Sequence, residues 1–305
     1  MDVIEVAGLR KEYRRLRGGR TIALDGLDLA VPQGGVFGFL GPNGAGKTTT
    51  IRCLLGLARA SSGRGRLLGA DAPDGLSGVV DRVGSIVETP SAYPRFSGRT
   101  NLELLARVAG IGRSRVREVL EQVGLAERAD DLVKTYSFGM KQRLGIGAAL
   151  LKDPELLILD EPANGLDPAG IVEVRELIRR LGAEGRTVFI SSHILTEVQQ
   201  VADRVAILSR GRAVASGPVA EVLSGGRAAE LTARLDDLSA GLRALADAGI
   251  PSREQDGRLL VQLAADRASE VTRALADHGL YLSELRVEEA DLEKVFLELT
   301  EGDPA

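Results

Sequence analysis

The sequence has few of the features that mark secreted or membrane-embedded proteins. Its 305 residues include a single cysteine, Cys53, so no disulfide can form within the chain. Met1, Asp2 and Val3 open the chain without the basic start and apolar stretch of a secretory signal. No apolar run in the sequence approaches the ~20 residues that a membrane-spanning helix needs. We therefore expect a cytoplasmic chain, in which any membrane role comes through a partner.

Strong positive charge and clustered aromatic residues are also missing. The formal net charge is -4, so no overall field attracts a nucleic-acid backbone. The basic stretch from Arg10 to Arg20 holds one aromatic residue, Tyr13, whereas single-stranded nucleic acid stacks on several aromatic side chains. The stretch predicts a solvated face, with a nucleic-acid patch as the alternative. We expect no nucleic-acid partner.

A phosphate-binding loop stands between a predicted strand and a predicted helix. The apolar run from Val36 to Leu40 predicts a buried strand, and helical spacing of apolar residues begins after Thr49. Between them the sequence GPNGAGKT, residues 41–48, matches the pattern G-x-x-x-x-G-K-[ST]. In this context the pattern predicts a nucleoside triphosphate site, with a chance glycine-rich turn as the alternative.

The chemistry of this loop suits a triphosphate. The absence of a Cβ at Gly41, Gly44 and Gly46 lets the loop wrap closely and point its backbone N–H groups inward. The amino end of the helix adds partial positive charge. We expect Lys47 to reach the β- and γ-phosphates and the Thr48 hydroxyl to bind Mg²⁺.

Two adjacent acids end a second apolar strand. Asp160 and Glu161 directly follow the run ELLIL, residues 155–159. One carboxylate can hold Mg²⁺ against the phosphate-binding loop, while the other polarises the attacking water. Two solvated acids at a strand end are the alternative.

The order of the apolar segments predicts a two-domain chain of the α/β class. Strand-like and helix-like runs alternate through residues 1–222, which favours a mostly parallel sheet covered on both faces. Within this range, residues 2–7 have the alternation of an edge strand and residues 89–153 predict a helical insert. Residues 224–226 predict a linker. Residues 227–305 then predict a small α+β accessory domain of split β-α-β type that ends in an amphipathic helix.

The motifs together resemble those of the ATP-binding subunit of ABC transporters, over residues 1–222. The resemblance covers its phosphate-binding loop, signature segment, second nucleotide motif, following loop and switch histidine. In this chain these are GPNGAGKTT at 41–49, YSFGMKQRLGIGAALL at 136–151, LLILDEP at 156–162, ANGLDP at 163–168 and SSH at 191–193. The resemblance implies the P-loop NTPase fold of ABC-type ATPases, with a helical insert. It also implies that the chain binds ATP and Mg²⁺ and hydrolyses the ATP.

The resemblance also implies a role for each matching residue. Glu161 would be the general base, His193 the sensor of the γ-phosphate, and Lys47 a catalytic cation. Mg²⁺ would be held by Thr48, Glu88 and Asp160, and Asp167 would lie at a subunit interface. Contacts to ATP are implied for Tyr13, Gly41, Pro42, Asn43, Gly44, Ala45, Gly46, Lys47, Thr48 and Thr49 of one subunit and for Ser137, Phe138 and Gly139 of the other.

Two residues depart from the common pattern of the family. Phe138 stands where the signature usually has glycine, and Glu88 stands where the family usually has glutamine. Both variants resemble those of a bacterial subgroup that exports antibiotics, antimicrobial peptides or lipids. The C-terminal segment DLEKVF, residues 291–296, fits the same subgroup.

The resemblance implies a working assembly of two copies of this chain and an integral-membrane permease. The chain would lie peripherally on the cytoplasmic face of the cell membrane, with Arg95 and Phe96 facing the permease. Two alternatives are a soluble ATP-switched regulator with the same core and a cassette that binds ATP without hydrolysing it. A single phosphate-binding loop and the intact Lys47, Asp160, Glu161 and His193 favour the transport ATPase.

Overall fold

The chain folds into two compact units that meet in sequence between Val219 and Ala220. Each unit has its own hydrophobic core. The computed structural model describes residues 1–14, 19–87, 91–224, 230–263, 267–287, 292 and 295.

The first unit combines strands and helices in alternation. Its described strands are, in chain order, β1 (Asp2–Arg14), β2 (Arg20–Pro32), β3 (Gly35–Leu40), β4 (Ser62–Leu67), β5 (Ala70–Ala72), β6 (Val83–Ile86), β7 (Leu156–Asp160), β8 (Thr187–Ser192), β9 (Arg204–Ser209) and β10 (Arg212–Pro218). Its described helices are α1 (Lys47–Leu54), α2 (Gly98–Val108), α3 (Arg113–Gln122), α4 (Phe138–Leu150), α5 (Pro168–Ala183) and α6 (Leu195–Gln199), and α7 (Val219–Ser224) begins at the boundary.

The central sheet confirms the α/β class. Its strand order is β10-β9-β3-β8-β7-β6. All of its pairs are parallel except β9 with β10. Strands β3, β7 and β8 are almost wholly buried, as expected of parallel strands in the middle of a sheet. Their carboxyl ends therefore meet at one edge of the sheet.

A second, antiparallel sheet has the order β2-β1-β4-β5. The prediction of an edge strand over residues 2–7 is wrong, because β1 pairs with β2 on one side and β4 on the other. Val6, for example, lies opposite both Leu29 and Gly65. The alternation of apolar and polar residues indicates that one face of the strand is solvated. It does not indicate whether other strands pair with the two edges of that strand.

Helices α2, α3 and α4 lie between β6 and β7 in the chain, within the range predicted for the helical insert. The Ser97 hydroxyl caps α2 by accepting from the backbone N–H of Thr100. Ahead of α4, the buried Tyr136 hydroxyl donates to the carbonyl of Arg128 at 2.6 Å. Burial raises the pKa of this hydroxyl, which is protonated and a donor at neutral pH even without the shift.

The second unit contains β11 (Glu230–Arg234), α8 (Leu238–Asp247), β12 (Ser252–Gln255), β13 (Arg258–Gln262), α9 (Ala268–Ala276) and β14 (Glu284–Val287). Its antiparallel sheet has the order β12-β13-β11-β14. Helices α8 and α9 both contribute to a core that includes Leu231, Leu245 and Val261. The predicted C-terminal helix lies outside the described residues, except for Leu292 and Val295, which are helical.

Two further findings concern the cysteine and the helix lengths. Cys53 is a free, buried cysteine, and burial raises the pKa of its thiol, which disfavours the reactive thiolate. Among the described residues, no helix combines the length and the apolar character needed to span a bilayer.

Tyr136→Phe is expected to lower the free energy of unfolding by about 1 kcal/mol, because the buried side chain loses its hydrogen bond to the Arg128 carbonyl, which keeps the backbone N–H of Asp131 as a donor. Urea denaturation followed by circular dichroism measures the change. Tyr93→Phe is the matched control, since the Tyr93 side chain is 64% exposed and its variant should stay within about 0.5 kcal/mol of the wild type. Equal shifts in both variants would contradict the prediction.

Candidate functional site

Three loops leave the same edge of the central sheet. The phosphate-binding loop follows β3, the two acids end β7, and His193 follows β8. Register brings these ends level, because Leu40 pairs with Ser192 and Asp160 pairs with Ser191. The backbone N–H of Gly41 donates to the carbonyl of Ser192 at 3.3 Å, which ties the start of the loop to the end of β8.

Neighbouring protein leaves no room for a side chain at two of the loop glycines. A Cβ at Gly41 would lie 2.5 Å from the carbonyl oxygen of Leu208, and one at Gly46 would lie 2.6 Å from that of Ala23. At Gly44, by contrast, a Cβ would meet open space, although its φ of 84° still disfavours other residues. Two of the predicted glycines therefore serve packing against β2 and β9, and only Gly44 faces outward.

The Lys47 side chain lies inside the loop and is 5% exposed. Its Nζ donates to the carbonyl oxygens of Gly41 at 2.6 Å and Pro42 at 3.2 Å. The same ammonium lies 3.2 Å from Oε1 of Glu161. The structure thus brings the predicted phosphate-binding cation into direct contact with the predicted base.

The two acids occupy different environments. Asp160 is 7% exposed, and its Oδ1 accepts from the Ser191 hydroxyl. Glu161 has a left-handed φ of 50°, which is strained for a residue with a side chain. Its backbone N–H donates to the Ser191 carbonyl at 3.2 Å and to the Ser191 hydroxyl at 2.9 Å.

His193 completes the cluster. Its Nδ1 lies 2.8 Å from Oε2 of Glu161, and since an ionised carboxylate can only accept, Nδ1 carries the hydrogen. Glu161 is therefore held between an ammonium at one oxygen and an imidazole at the other. The contacts form a chain from Lys47 through Glu161 to His193, with charges that attract more strongly here than in water because the site is partly buried.

Residues of the signature segment lie at the amino end of α4. The Ser137 hydroxyl caps the helix by accepting from the backbone N–H of Met140 at 3.1 Å. Phe138 is 44% exposed, and a Cβ at Gly165 would lie 3.5 Å from its ring. Gly139 is buried. Among the described residues, no hydrogen bond or ion pair joins these three to Lys47 or Glu161.

Tyr13 lies on β1, in the antiparallel sheet. Its side chain is 39% exposed, and the ammonium of Lys11 lies over the ring at 4.8 Å from the centroid. Lys11 also donates to the carbonyl of Arg59 at 2.7 Å. One cation is therefore already held against the ring by attraction to its π-face.

The remaining predicted residues of the loop and of the first turn of α1 differ in exposure. Pro42 and Asn43 are exposed, Ala45 is buried, and Thr48 and Thr49 are half-buried. Glu88, a predicted metal ligand, lies outside the described residues. The described part of the chain contains no cluster of three or more His, Cys, Asp or Glu side chains that would bind a metal by themselves.

Two residues have contacts that sequence reasoning did not anticipate. Asp167, expected at a subunit interface, caps α5 by accepting from the backbone N–H of Gly170 at 3.0 Å. Ser191 joins the two acids and was not predicted as a site residue. Its place two positions before His193 in the motif SSH was visible, but a serine in a buried strand has no chemical signature of its own.

Comparison with known proteins agrees with this geometry. A family model described as ABC transporter matches residues 24–164, which include the phosphate-binding loop, α4 and both acids. The bacitracin transport ATP-binding protein BcrA of Enterococcus faecalis is 38% identical over 303 residues, which cover 98% of this chain and 97% of the relative. The daunorubicin/doxorubicin resistance ATP-binding protein DrrA of Streptomyces peucetius is 37% identical and covers 99% of this chain and 93% of its own length.

Solved structures of ATP-binding cassettes align with most of this chain. CbiO1 of Clostridium perfringens, part of the ABC transporter complex cbiONQ, aligns with a TM-score of 0.65 at 28% identity and covers 74% of this chain and 92% of its own. The dimeric ATP-binding cassette MJ0796, in a post-hydrolysis state bound to ADP and Pi, aligns with a TM-score of 0.63 at 21% identity, over 71% of this chain and 98% of its own. The chain therefore belongs to the ABC transporter family, as one of its ATP-binding, ATP-hydrolysing subunits.

Proposed function

We propose that this subunit hydrolyses ATP at the carboxyl edge of its central sheet, with Glu161 as the general base, to drive export through a membrane permease. The exported compound would be an antibiotic, an antimicrobial peptide or a lipid. One observation carries the catalytic part of the proposal, namely the chain of contacts from Lys47 through Glu161 to His193. The names of the relatives, which refer to bacitracin transport and to daunorubicin resistance, support the direction and the class of cargo.

In the proposed reaction a water molecule attacks the γ-phosphorus of ATP. Glu161 accepts a proton from the water as the new O–P bond forms, and the bond to the β–γ bridging oxygen breaks to give ADP and inorganic phosphate. Lys47 would exchange its partner Glu161 for the β- and γ-phosphates, which frees Oε1 of the base for the water. His193 keeps Oε2 in place and would contact the γ-phosphate through its other nitrogen.

The oxygen atoms at this edge fit a magnesium ion. Mg²⁺ in nucleotide sites takes one or two protein oxygens and completes its shell with phosphates and water, so a large cluster of acids is not needed. Asp160 and the Thr48 hydroxyl would hold the ion, together with Glu88. When bound, the ion neutralises charge on the β- and γ-phosphates.

We further propose that two copies of this chain share each nucleotide. Ser137, Phe138 and Gly139 of one copy would contact the ATP held by the loop of the other, because the amino end of α4 presents N–H groups suited to a phosphate. The exposed Phe96 and its neighbour Arg95 would face the permease, which would hold the dimer at the cytoplasmic face of the membrane. Loss of the γ-phosphate would remove the contact that favours the closed dimer.

Glu161→Gln is expected to lower hydrolysis about 10²–10⁴-fold and to leave ATP binding intact, because the amide keeps the size of the side chain but cannot accept the proton. Phosphate release by the purified chain, alone and with membranes that carry its permease, measures turnover. A fluorescent ATP analogue measures binding in parallel.

Glu155→Gln serves as the matched control, since Glu155 precedes β7 at the opposite end and pairs with Arg82. Near-normal turnover in Glu161→Gln would remove Glu161 as the base. Tight binding without turnover in the wild type, even with permease membranes, would instead favour a binding-only cassette.

Tyr13→Ala is expected to weaken ATP binding about 5–150-fold, which corresponds to the loss of about 1–3 kcal/mol of base stacking. Tyr13→Phe keeps the ring and should bind as the wild type does. Competition by inorganic tripolyphosphate, which has no base, should be the same in all three proteins. An alanine variant with unchanged affinity for ATP would exclude adenine stacking on Tyr13.

A mixture of Lys47→Ala and Ser137→Ala chains is expected to hydrolyse ATP faster than either variant alone. A dimer of either variant alone has a defect in both nucleotide sites. A mixed dimer has one intact site, formed by the loop of the Ser137→Ala chain and the signature segment of the Lys47→Ala chain. Phosphate release after co-incubation at increasing ratios measures the rescue. Mixtures that only average the two separate activities would contradict a shared nucleotide site.

A further inference from the structure

The Ser191 side chain contacts both acids of the site from inside the sheet. Ser191 lies on β8, directly opposite Asp160 on β7, and none of its surface is exposed. Its hydroxyl donates to Oδ1 of Asp160 and accepts from the backbone N–H of Glu161 at 2.9 Å. A single buried oxygen atom therefore links the proposed metal-holding acid to the proposed base.

The direction of both hydrogen bonds follows from their chemistry. A backbone N–H cannot accept and an ionised carboxylate cannot donate, so the hydroxyl hydrogen points at Asp160. Rotation of the hydroxyl would break that bond inside the protein, where an unsatisfied polar group is unfavourable. The orientation of the Asp160 carboxylate and the position of the Glu161 backbone thus depend on the same atom.

The backbone of Glu161 needs such a restraint. Its φ of 50° lies in the left-handed region, which a residue with a side chain adopts only when its surroundings hold it there. Both restraints on its N–H come from Ser191, one from the carbonyl and one from the hydroxyl. From this backbone the carboxylate of Glu161 reaches His193 and Lys47.

We propose that Ser191 is a positioning residue for ATP hydrolysis, which couples the geometry of Asp160 to that of Glu161. The inference rests on the function proposed above and concerns residues that Ser191 touches, since Ser191 itself would not contact ATP. Partners that orient a metal-holding carboxylate commonly contribute about 10–100-fold in metal affinity or activity. We expect a contribution of that size from the hydroxyl.

The test compares Ser191→Ala, Ser191→Thr and Thr187→Val in the full chain. Thr187 is the matched control, because it lies on the same strand, is 1% exposed and has a hydroxyl that accepts from the backbone N–H of Gly34 at 2.8 Å. Steady-state ATPase assays give kcat, KM and the dependence on free Mg²⁺. Titration with a fluorescent ATP analogue in Mg²⁺ and in EDTA gives nucleotide affinity with and without the metal.

Ser191→Ala is expected to lower kcat about 10–100-fold and to reduce the gain in affinity that Mg²⁺ provides, while affinity in EDTA stays unchanged. Ser191→Thr keeps the hydroxyl and should recover most of both properties. Thr187→Val should retain the kcat and the Mg²⁺ response of the wild type, even if it unfolds at a lower temperature.

Wild-type kcat and Mg²⁺ response in Ser191→Ala would overturn the proposal, as would an equal loss in Thr187→Val. If circular dichroism shows that the alanine variant does not fold, Ser191→Cys takes its place, because the thiol has a similar volume but donates weakly. Wild-type kcat in a folded cysteine variant would be equally decisive against Ser191. A wild type without turnover, or a Glu161→Gln variant with near-normal activity, would instead contradict the proposed function. In that case the nucleotide affinities in Mg²⁺ and in EDTA would still test whether Ser191 affects metal binding.

Discussion

Parallel pairing of β3, β8 and β7 is the constraint on which the site depends. Parallel strands run in one direction, so their carboxyl ends lie at one edge. Leu40 pairs with Ser192 and Asp160 pairs with Ser191, so the ends of the three strands are aligned to within one residue. Loops that are more than a hundred residues apart in sequence therefore start from neighbouring points. A slip of one residue in either pairing would turn the side chains of the slipped strand to the opposite face of the sheet.

The charges at this edge satisfy one another through a small number of contacts. Lys47 is buried but has two carbonyl oxygens and the Glu161 carboxylate as partners. Asp160 and Glu161 are adjacent anions that take separate partners, the Ser191 hydroxyl for one and Lys47 with His193 for the other. Under the proposed function, a triphosphate competes with Glu161 for Lys47. Nucleotide binding and the placement of the base are then linked by a single ammonium group.

Much of the first unit could be predicted because its signals are local. The apolar run before the phosphate-binding loop predicted β3, and the helical spacing after it predicted α1. The prediction of an edge strand over residues 2–7 was wrong because strand neighbours come from distant parts of the chain. The close approach of phosphate was the reason given for glycine at Gly41 and Gly46, and the structure adds crowding by Leu208 and Ala23. The wrong edge assignment and this added crowding both concern contacts between segments that are far apart in sequence.

The sequence by itself determined the chemistry that the chain can perform. Residue type and short spacing are enough to specify a glycine loop that ends in Lys47, an acid pair at a strand end and a histidine after another strand. Only the tertiary structure decided which of these groups touch. The ion pair of Lys47 with Glu161, the bond of Glu161 to His193 and the bridging role of Ser191 depend on strand register. Register is set by packing across the whole sheet, and no short stretch of the chain contains that information.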